Sequence, residues 1–315
     1  MKVLVTSRSF GQVGTEALSV LEGAGIQMTR LVDDYTDEKF AETIPEYDAL
    51  IIGAHKFPAE VMERCGRLQI IAKHGAGLDN IDLEAAKRLG ITVTNVPATN
   101  ANAVADLAVA HMLNLCRGVS AASWGVKNGV WKVYIGRDMY AKTLGLVGFG
   151  NIAKNVARRA RGFSMKVLAY DPYITEVPEE FQDYVAIASL DEVCAKSDFV
   201  SVHVPLTDET RNMFDRKRLD MMKTGAFLIN TSRGGIVEEQ ALFEVCKEGK
   251  LGGAALDVVE TEPLPADSPL LTLSNIVVTP HIGMYSYEAV NAVSVTCAEN
   301  VAKKLGGETP RFVVV

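Results

Sequence analysis

Three polar side chains stand just after apolar runs in the second half of the chain: Arg233 after Ala226 to Asn230, Glu262 after Gly253 to Leu256, and His281 after Ile276 to Thr279. A cation, an acid and a titratable base suit chemistry at a hydroxyl carbon that neighbours a carboxylate. The base takes the hydroxyl proton, the acid orients the base and favours its charged form, and the cation grips the carboxylate. Taken singly, each has a plainer reading: Arg233 as a surface arginine, Glu262 as a solvated loop acid, His281 as a capping histidine. The hydride leaving such a carbon needs a carrier, and the chain contains a segment with the form of a carrier site. Gly148-Phe149-Gly150-Asn151-Ile152-Ala153 has the G-x-G-x-x-A spacing between a strand (Thr143 to Val147) and a helical pattern. Gly148 permits the tight turn, Gly150 leaves room for a pyrophosphate, and the helix start points its free N–H groups at that anion. Asp171 ends the next strand, Lys166 to Tyr170, about 20 residues past the glycines, where a carboxylate accepts from an adenosine ribose. Pro172 and Tyr173 follow it rather than an arginine, which favours NAD over NADP.

Parallel sheets collect their ligands beyond the carboxyl ends of the strands, so the strands must supply the common rim. From Met1 to Thr94, strand candidates (Lys2 to Thr6, Ile26 to Leu31, Ala49 to Ile52, Gln69 to Lys73, Ile91 to Thr94) alternate with helical patterns at Val13 to Glu22, Asp37 to Thr43, Ala59 to Arg64 and Leu83 to Leu89. That alternation predicts a doubly wound parallel sheet. Two strand-end loops, Gly53-Ala54-His55-Lys56 and Lys73 to Asn80, lie on its ligand edge. The glycines of Lys73-His74-Gly75-Ala76-Gly77 either present N–H groups to a small carboxylate, with Lys73 adding charge, or form a plain turn before the next helix. His55 and His74 read as surface or hydrogen-bonded residues. A breaker-rich crossing, Asn95 to Asn100, marks a domain boundary. Beyond it come a strong helix carrying Val104, Leu107, Ala108, Met112 and Leu115, a second near Ser120 to Lys127, and an aromatic stretch, Trp131 to Tyr140, expected to pack over the helix pair. The alternation then resumes from Thr143 to Thr279 and places Arg233, Glu262 and His281 on the rim of the glycine turn.

The chain has 315 residues, 48% of them hydrophobic, which is long for one core and predicts two domains. A net charge of −7 disfavours nucleic acid and anionic membrane as partners. The five cysteines show no metal or disulfide spacing, and no leader or membrane-length apolar run is present, so a cytoplasmic protein with reduced thiols and no metal site is expected.

Several of these segments also resemble a known family. Thr231-Ser232-Arg233-Gly234-Gly235, Ala255-Leu256-Asp257-Val258 with Glu262-Pro263-Leu264, and Thr279-Pro280-His281-Ile282-Gly283 resemble signatures of the D-2-hydroxyacid dehydrogenases. Gly75 to Asn80 and His203-Val204-Pro205-Leu206-Thr207 extend the match over nearly the whole chain, nearest to the D-3-phosphoglycerate dehydrogenase subgroup. The resemblance implies an α/β protein of two doubly wound parallel-sheet domains: a Rossmann cofactor domain (residues 99–287) inserted in a flavodoxin-like substrate domain (1–98 plus 288–315). It implies that Arg233 binds substrate, His281 is the general acid/base and Glu262 is its partner. It assigns Lys73, Gly75, Ala76, Gly77 and Asn100 to the substrate, and Gly148, Gly150, Asn151, Ile152, Asp171, His203, Pro205, Thr210, Thr231, Asp257 and Gly283 to NAD. A homodimer through the cofactor domain and a small 2-hydroxy or 2-keto acid substrate follow from it as well.

Departures from the phosphoglycerate pattern bear on the substrate. Lys73 and Gly53 stand where those enzymes carry arginine, Met284-Tyr285-Ser286-Tyr287 is bulky, and the chain ends near residue 315 without their regulatory C-terminal domain. Glyoxylate, hydroxypyruvate and lactate therefore stand beside phosphoglycerate as candidates. An NAD-sensing corepressor-like role is the reading from another class. Formate dehydrogenase, which places glutamine where Glu262 stands, is set aside.

Overall fold

The computed structural model describes residues 1–33 and 35–315. In chain order the first elements are β1 (Lys2–Val5), α1 (Glu16–Gly23), β2 (Gln27–Arg30), α2 (Asp37–Thr43), β3 (Ala49–Ile52), α3 (Ala59–Met62), β4 (Ile70–Lys73), α4 (Leu83–Arg88) and β5 (Thr92–Thr94). Next come α5 (Ala101–Arg117), α6 (Val119–Lys127), β6 (Thr143–Val147), α7 (Asn151–Gly162), β7 (Lys166–Tyr170), β8 (Val185–Ile187) and α8 (Leu190–Lys196). The chain closes with β9 (Phe199–Val202), α9 (Arg216–Met221), β10 (Phe227–Asn230), α10 (Glu239–Lys247), β11 (Gly253–Leu256), β12 (Ile276–Val278) and α11 (Tyr287–Leu305). Among the described residues no helix is long and apolar enough to cross a membrane.

The chain divides into two compact units, Met1–Asn100 with Met284–Val315, and Ala101–Gly283. The second crossing therefore comes at Gly283 to Met284, ahead of the expected residue 288, because Met284 already packs on the core of the first unit. The first unit is a five-stranded parallel sheet of order β2-β1-β3-β4-β5, the flavodoxin-like order. Its central strands β3 and β4 are buried along their whole length, as continuous apolar runs in a parallel sheet must be. Two cores cover the faces. One is built around Leu50, Ile71 and Phe57, the other around Val3, Val5 and Ile51 with Val293, Cys297 and Val301 of α11. The tail returns to the edge of this sheet, with Val314 N–H donating to Val93 O at 2.8 Å.

The second unit is a seven-stranded parallel sheet of order β12-β11-β10-β9-β6-β7-β8. Chain order reverses between β6 and β9, which makes their carboxyl ends the switch point where dinucleotides bind in this topology. Gly145 in β6 is required by packing: a Cβ there would lie 2.5 Å from Ser197 Oγ and 2.6 Å from Val193 of α8.

The differences from the sequence expectations are local. Strand β8 is absent from those expectations because it is a three-residue edge strand with Val185 alone buried. Helix α1 starts at Glu16 rather than Val13, since Gly14 is left-handed at φ +71°. Only the end of the Trp131 to Tyr140 stretch packs on the helices, Arg137 N–H donating to Cys116 O of α5 at 2.9 Å and Met139 joining the core of Met112 and Cys116. Trp131, Val133 and Ile135 are 88%, 81% and 100% exposed, and α6 buries no residue.

Candidate active site

The glycine turn is built by the switch-point strands. Gly148 has φ +89°, and a Cβ on it would lie 2.6 Å from His203 O, so only glycine passes between the ends of β6 and β9. A Cβ on Gly150, in contrast, would meet nothing within 4 Å: that position opens to solvent at the start of α7, which begins with Asn151 and Ile152. Small buried residues Ala153, Val156, Ala157 and Ala160 hold the helix down. Asp171 Oδ2 accepts from Phe149 N–H inside the turn at 2.8 Å, and Oδ1 accepts from Tyr173 N–H at 2.9 Å. A carboxylate has about four acceptor sites, so capacity remains for ribose hydroxyls. His203 Nε2 pairs with Ser201 Oγ at 2.9 Å, while its Nδ1 and Thr231 Oγ1 are buried with no partner. Open space over Gly150, a helix start, a carboxylate with spare acceptors and two orphaned polar atoms fit a dinucleotide. Thr210 fixes the loop holding Pro205: its Oγ1 donates to Pro205 O at 2.6 Å and accepts from Thr207 N–H at 2.7 Å.

Along the same sheet, His281 Nδ1 lies 2.9 Å from Glu262 Oε2, both side chains being half-exposed. Burial by itself would raise the Glu262 carboxyl. The hydrogen bond and charge of His281, the Val259 N–H and the Arg233 charge outweigh it and hold the carboxyl below its usual range. Glu262 is therefore ionised and accepts from His281 Nδ1–H. Protonating Glu262 removes that acceptor, so any proton-transfer activity that uses the pair falls away on the acid side as pH drops through the lowered carboxyl pKa, and Glu262→Gln removes that limb. Superimposable wild-type and Glu262→Gln pH–rate profiles would count against the pair.

Arg233, whose Nη1 donates to Ser232 O at 2.7 Å, stands close enough for its charge to act on Glu262 because Gly234 has no side chain. A Cβ there would lie 2.0 Å from Val259 O, so the turn after β10 runs directly against the loop carrying Glu262. Asn230 Nδ2 donates to Arg233 O at 2.9 Å and Ser232 Oγ to Val202 O at 2.7 Å, fixing that turn.

Asp257 and Gly283 have a role that strand-end position does not reveal. Asp257 is 1% exposed. Its Oδ1 accepts from Thr279 Oγ1 at 2.6 Å and Ile282 N–H at 2.8 Å, and its Oδ2 from Gly283 N–H at 2.8 Å. Together with His281 N–H donating to Asp257 O at 2.9 Å, these bonds hold His281 at φ +52°, a left-handed conformation costing about 1–3 kcal/mol in a residue with a side chain.

In the first unit, Lys73 is 8% exposed, and its ammonium donates to Gly53 O at 2.6 Å and Asn80 Oδ1 at 2.8 Å. The Lys73 charge thus braces the ends of β3 and β4. Gly75 has φ +141° and its N–H turns back to Lys73 O at 2.9 Å. Ala76 and Gly77 follow at the surface, and Asn100 is half-buried at the end of the unit. His74 is buried between Ser294 Oγ at 2.9 Å and Ser9 Oγ at 3.5 Å. His55 packs between the rings of Tyr35 and Phe40.

Burial pushes His203, and burial with the Lys73 charge pushes His74, down to about 3. Unfolded histidine binds a proton near pH 6.5, so between that pH and about 3 the unfolded chain holds more protons and stability falls as pH falls. Each histidine contributes a slope of up to about 1.4 kcal/mol per pH unit. Urea midpoints measured from pH 6.5 to 5, above the carboxylate range, should decline, and His74→Gln should flatten the decline; a flat wild-type series would contradict it.

The chain matches the family described as D-isomer specific 2-hydroxyacid dehydrogenase, NAD binding domain, over residues 109–283. It is 38% identical to D-3-phosphoglycerate dehydrogenase of Methanocaldococcus jannaschii, across 100% of this chain and 59% of that protein. The chain thus spans little more than half the length of that relative. It is 43% identical to hydroxypyruvate reductase of Thermotoga maritima over 85% of this chain and 88% of that one. Among solved structures, the TT0316 protein from Thermus thermophilus superimposes with a TM-score of 0.92 at 36% identity, with all of both chains covered. On these matches and its fold, the chain belongs to the D-isomer specific 2-hydroxyacid dehydrogenase family and carries that family's NAD-binding domain.

Proposed function

We propose that this protein is an NAD-dependent dehydrogenase that interconverts a small D-2-hydroxy acid and its 2-keto acid. The observation that carries the proposal is the His281–Glu262 contact of 2.9 Å beside the Arg233 turn, on the strand-end side of the sheet that bears the glycine turn. The nicotinamide of bound cofactor is the hydride acceptor or donor at C2. In oxidation, neutral His281 takes the C2 hydroxyl proton, and Arg233 holds the carboxylate and the developing carbonyl. In reduction, imidazolium His281 returns the proton to the carbonyl oxygen. Glu262 orients the ring by accepting from its Nδ1–H. Residues 1–100 with 284–315 act as the substrate domain, in which the Lys73 to Gly77 loop and Asn100 bind the carboxylate, and 101–283 act as the cofactor domain.

Lys73 is engaged by loop oxygens, and Gly53 offers no charge at the second position where the phosphoglycerate pattern has arginine. Both favour an unphosphorylated substrate of the glyoxylate, hydroxypyruvate or lactate type over phosphoglycerate. Asp171 favours NAD, since its carboxylate would repel a 2′-phosphate. A nicotinamide absorbance assay across D- and L-2-hydroxy acids and 2-keto acids, phosphorylated and not, with both cofactors, tests the whole reading. Turnover confined to L-acids, or none with any acid, would overturn it.

The exposed Trp124, Trp131, Val133 and Ile135 support a homodimer through the cofactor domain, since an apolar run of this size needs covering. Trp131→Ser with Ile135→Asp should convert dimer to monomer in sedimentation velocity; a wild-type chain that sediments as monomer would reject the interface. The free, buried cysteines support a reducing, cytoplasmic setting.

A further inference from the structure

Helix α5 touches the turn carrying His281 at two points. Val104 packs against Gly283, where a Cβ would lie 3.4 Å from Val104 Cγ2, and His111 Nε2 lies 3.2 Å from Thr279 Oγ1. Seven residues separate these contacts, two helical turns on one face. His111 is 4% exposed, an unusual residue to bury among Ala108, Val109 and Met112.

The hydrogen-bond directions follow from donor counting. Asp257 accepts from the N–H groups of Ile282 and Gly283 as well as from Thr279 at 2.6 Å, the length of a bond to an ionised carboxylate. Threonine has a single O–H donor, and Asp257 takes it, so Thr279 Oγ1 can only accept from His111. His111 Nε2 therefore carries a proton. Burial lowers its affinity for a second proton against the raising influence of Asp257, which leaves the neutral Nε2–H tautomer.

We propose that His111 is a positioning residue for His281: its Nε2–H fixes the Thr279 hydroxyl toward Asp257, and Asp257 in turn holds the left-handed His281 turn through Ile282, Gly283 and its own carbonyl. This rests on the reading of His281 as general acid/base. Without the Nε2–H, the Thr279 rotor is free to leave Asp257, one of the bonds holding the His281 turn loosens, and the ring loses alignment with the reacting oxygen. Misalignment of that kind lowers turnover and leaves cofactor binding intact.

The test uses the full chain, NADH and the best 2-keto acid of the panel above. His111→Leu should lower kcat about tenfold with the Kd of NADH within twofold of wild type. His111→Gln, whose amide N–H reaches the same point, should recover most of the loss. Because His111 acts through Thr279, the double variant His111→Leu with Thr279→Val should be no slower than Thr279→Val alone. Unchanged kcat in His111→Leu, weakened NADH binding with unchanged kcat, or multiplicative losses in the double variant would each overturn the proposal. If His111→Leu binds no NADH because it fails to fold, the pair His111→Gln and Thr279→Ser against Thr279→Val decides: retained kcat in the first two with loss in the third supports the relay, and any other pattern rejects it. His281→Gln run in parallel separates the levels. Full activity there removes the acid/base reading itself, whereas its loss beside an unaffected His111→Leu removes the relay alone.

Discussion

His281→Gln lowers turnover in both directions by roughly 10²-fold or more, while NADH binds as it does to the wild type. Glutamine keeps the polarity and approximate size of the ring but cannot shuttle a proton near neutral pH. Its amide can still donate toward Glu262, which lies 2.9 Å from His281 Nδ1, so the loop loses little. The residues that fit the cofactor, Gly148, Gly150 and Asp171, lie in the turns that follow β6 and β7, whereas His281 follows β12. Fluorescence titration with NADH separates binding from chemistry. Retention of turnover within a few-fold would remove His281 from the reaction and would favour a sensing role for the bound cofactor over catalysis.

Arg233→Gln lowers kcat/KM for the keto acid by roughly 10²–10³-fold, because one charged, planar donor is asked to hold both the carboxylate and the carbonyl oxygen that gains charge. Arg233→Lys should recover only part of this: the charge remains and the fork does not. The local geometry makes the substitution clean. The turn is held by Asn230 and Ser232 contacts and by the approach of Gly234 to Val259, and the guanidinium adds one bond, Arg233 Nη1 donating to Ser232 O at 2.7 Å. The loss should fall on KM for the acid and on kcat, with NADH affinity unchanged. An unaltered KM with a weakened cofactor would instead reassign Arg233 to the dinucleotide. Glu262 would also lose a nearby cation that helps keep it ionised, so the pH profile should narrow from its acid side.

Much of the architecture is legible in the chain because it depends on local period. Apolar runs such as Ala49 to Ile52 and Phe199 to Val202 alternate with helical patterns ended by glycine, which is enough to specify two doubly wound sheets. The dinucleotide turn is legible for the same reason, since glycine, helix start and ribose acid lie within one βαβ unit and their spacing is a property of that unit. Arg233, Glu262 and His281 are visible as residues that follow strands. Their contacts are not.

What only the tertiary structure decided depends on chain segments far apart in sequence. The approach of the Arg233 turn to the Glu262 loop hangs on the missing Cβ of Gly234, which matters only once β10 and β11 pair in register. Asp257, a cofactor-side residue by its strand end, is buried beneath the His281 turn, a site defined by β11 and β12 lying side by side. His111 carries no signal at all. It sits in a helical apolar stripe, and its partner Thr279 is 168 residues away. The aromatic stretch after α6 escapes a sequence reading because periodicity reports which residues are apolar, not whether this chain has anything left to cover them. Short-range pattern sets the elements and their order; hydrogen bonds and close approaches across crossovers are set by packing, and those position the reacting side chains.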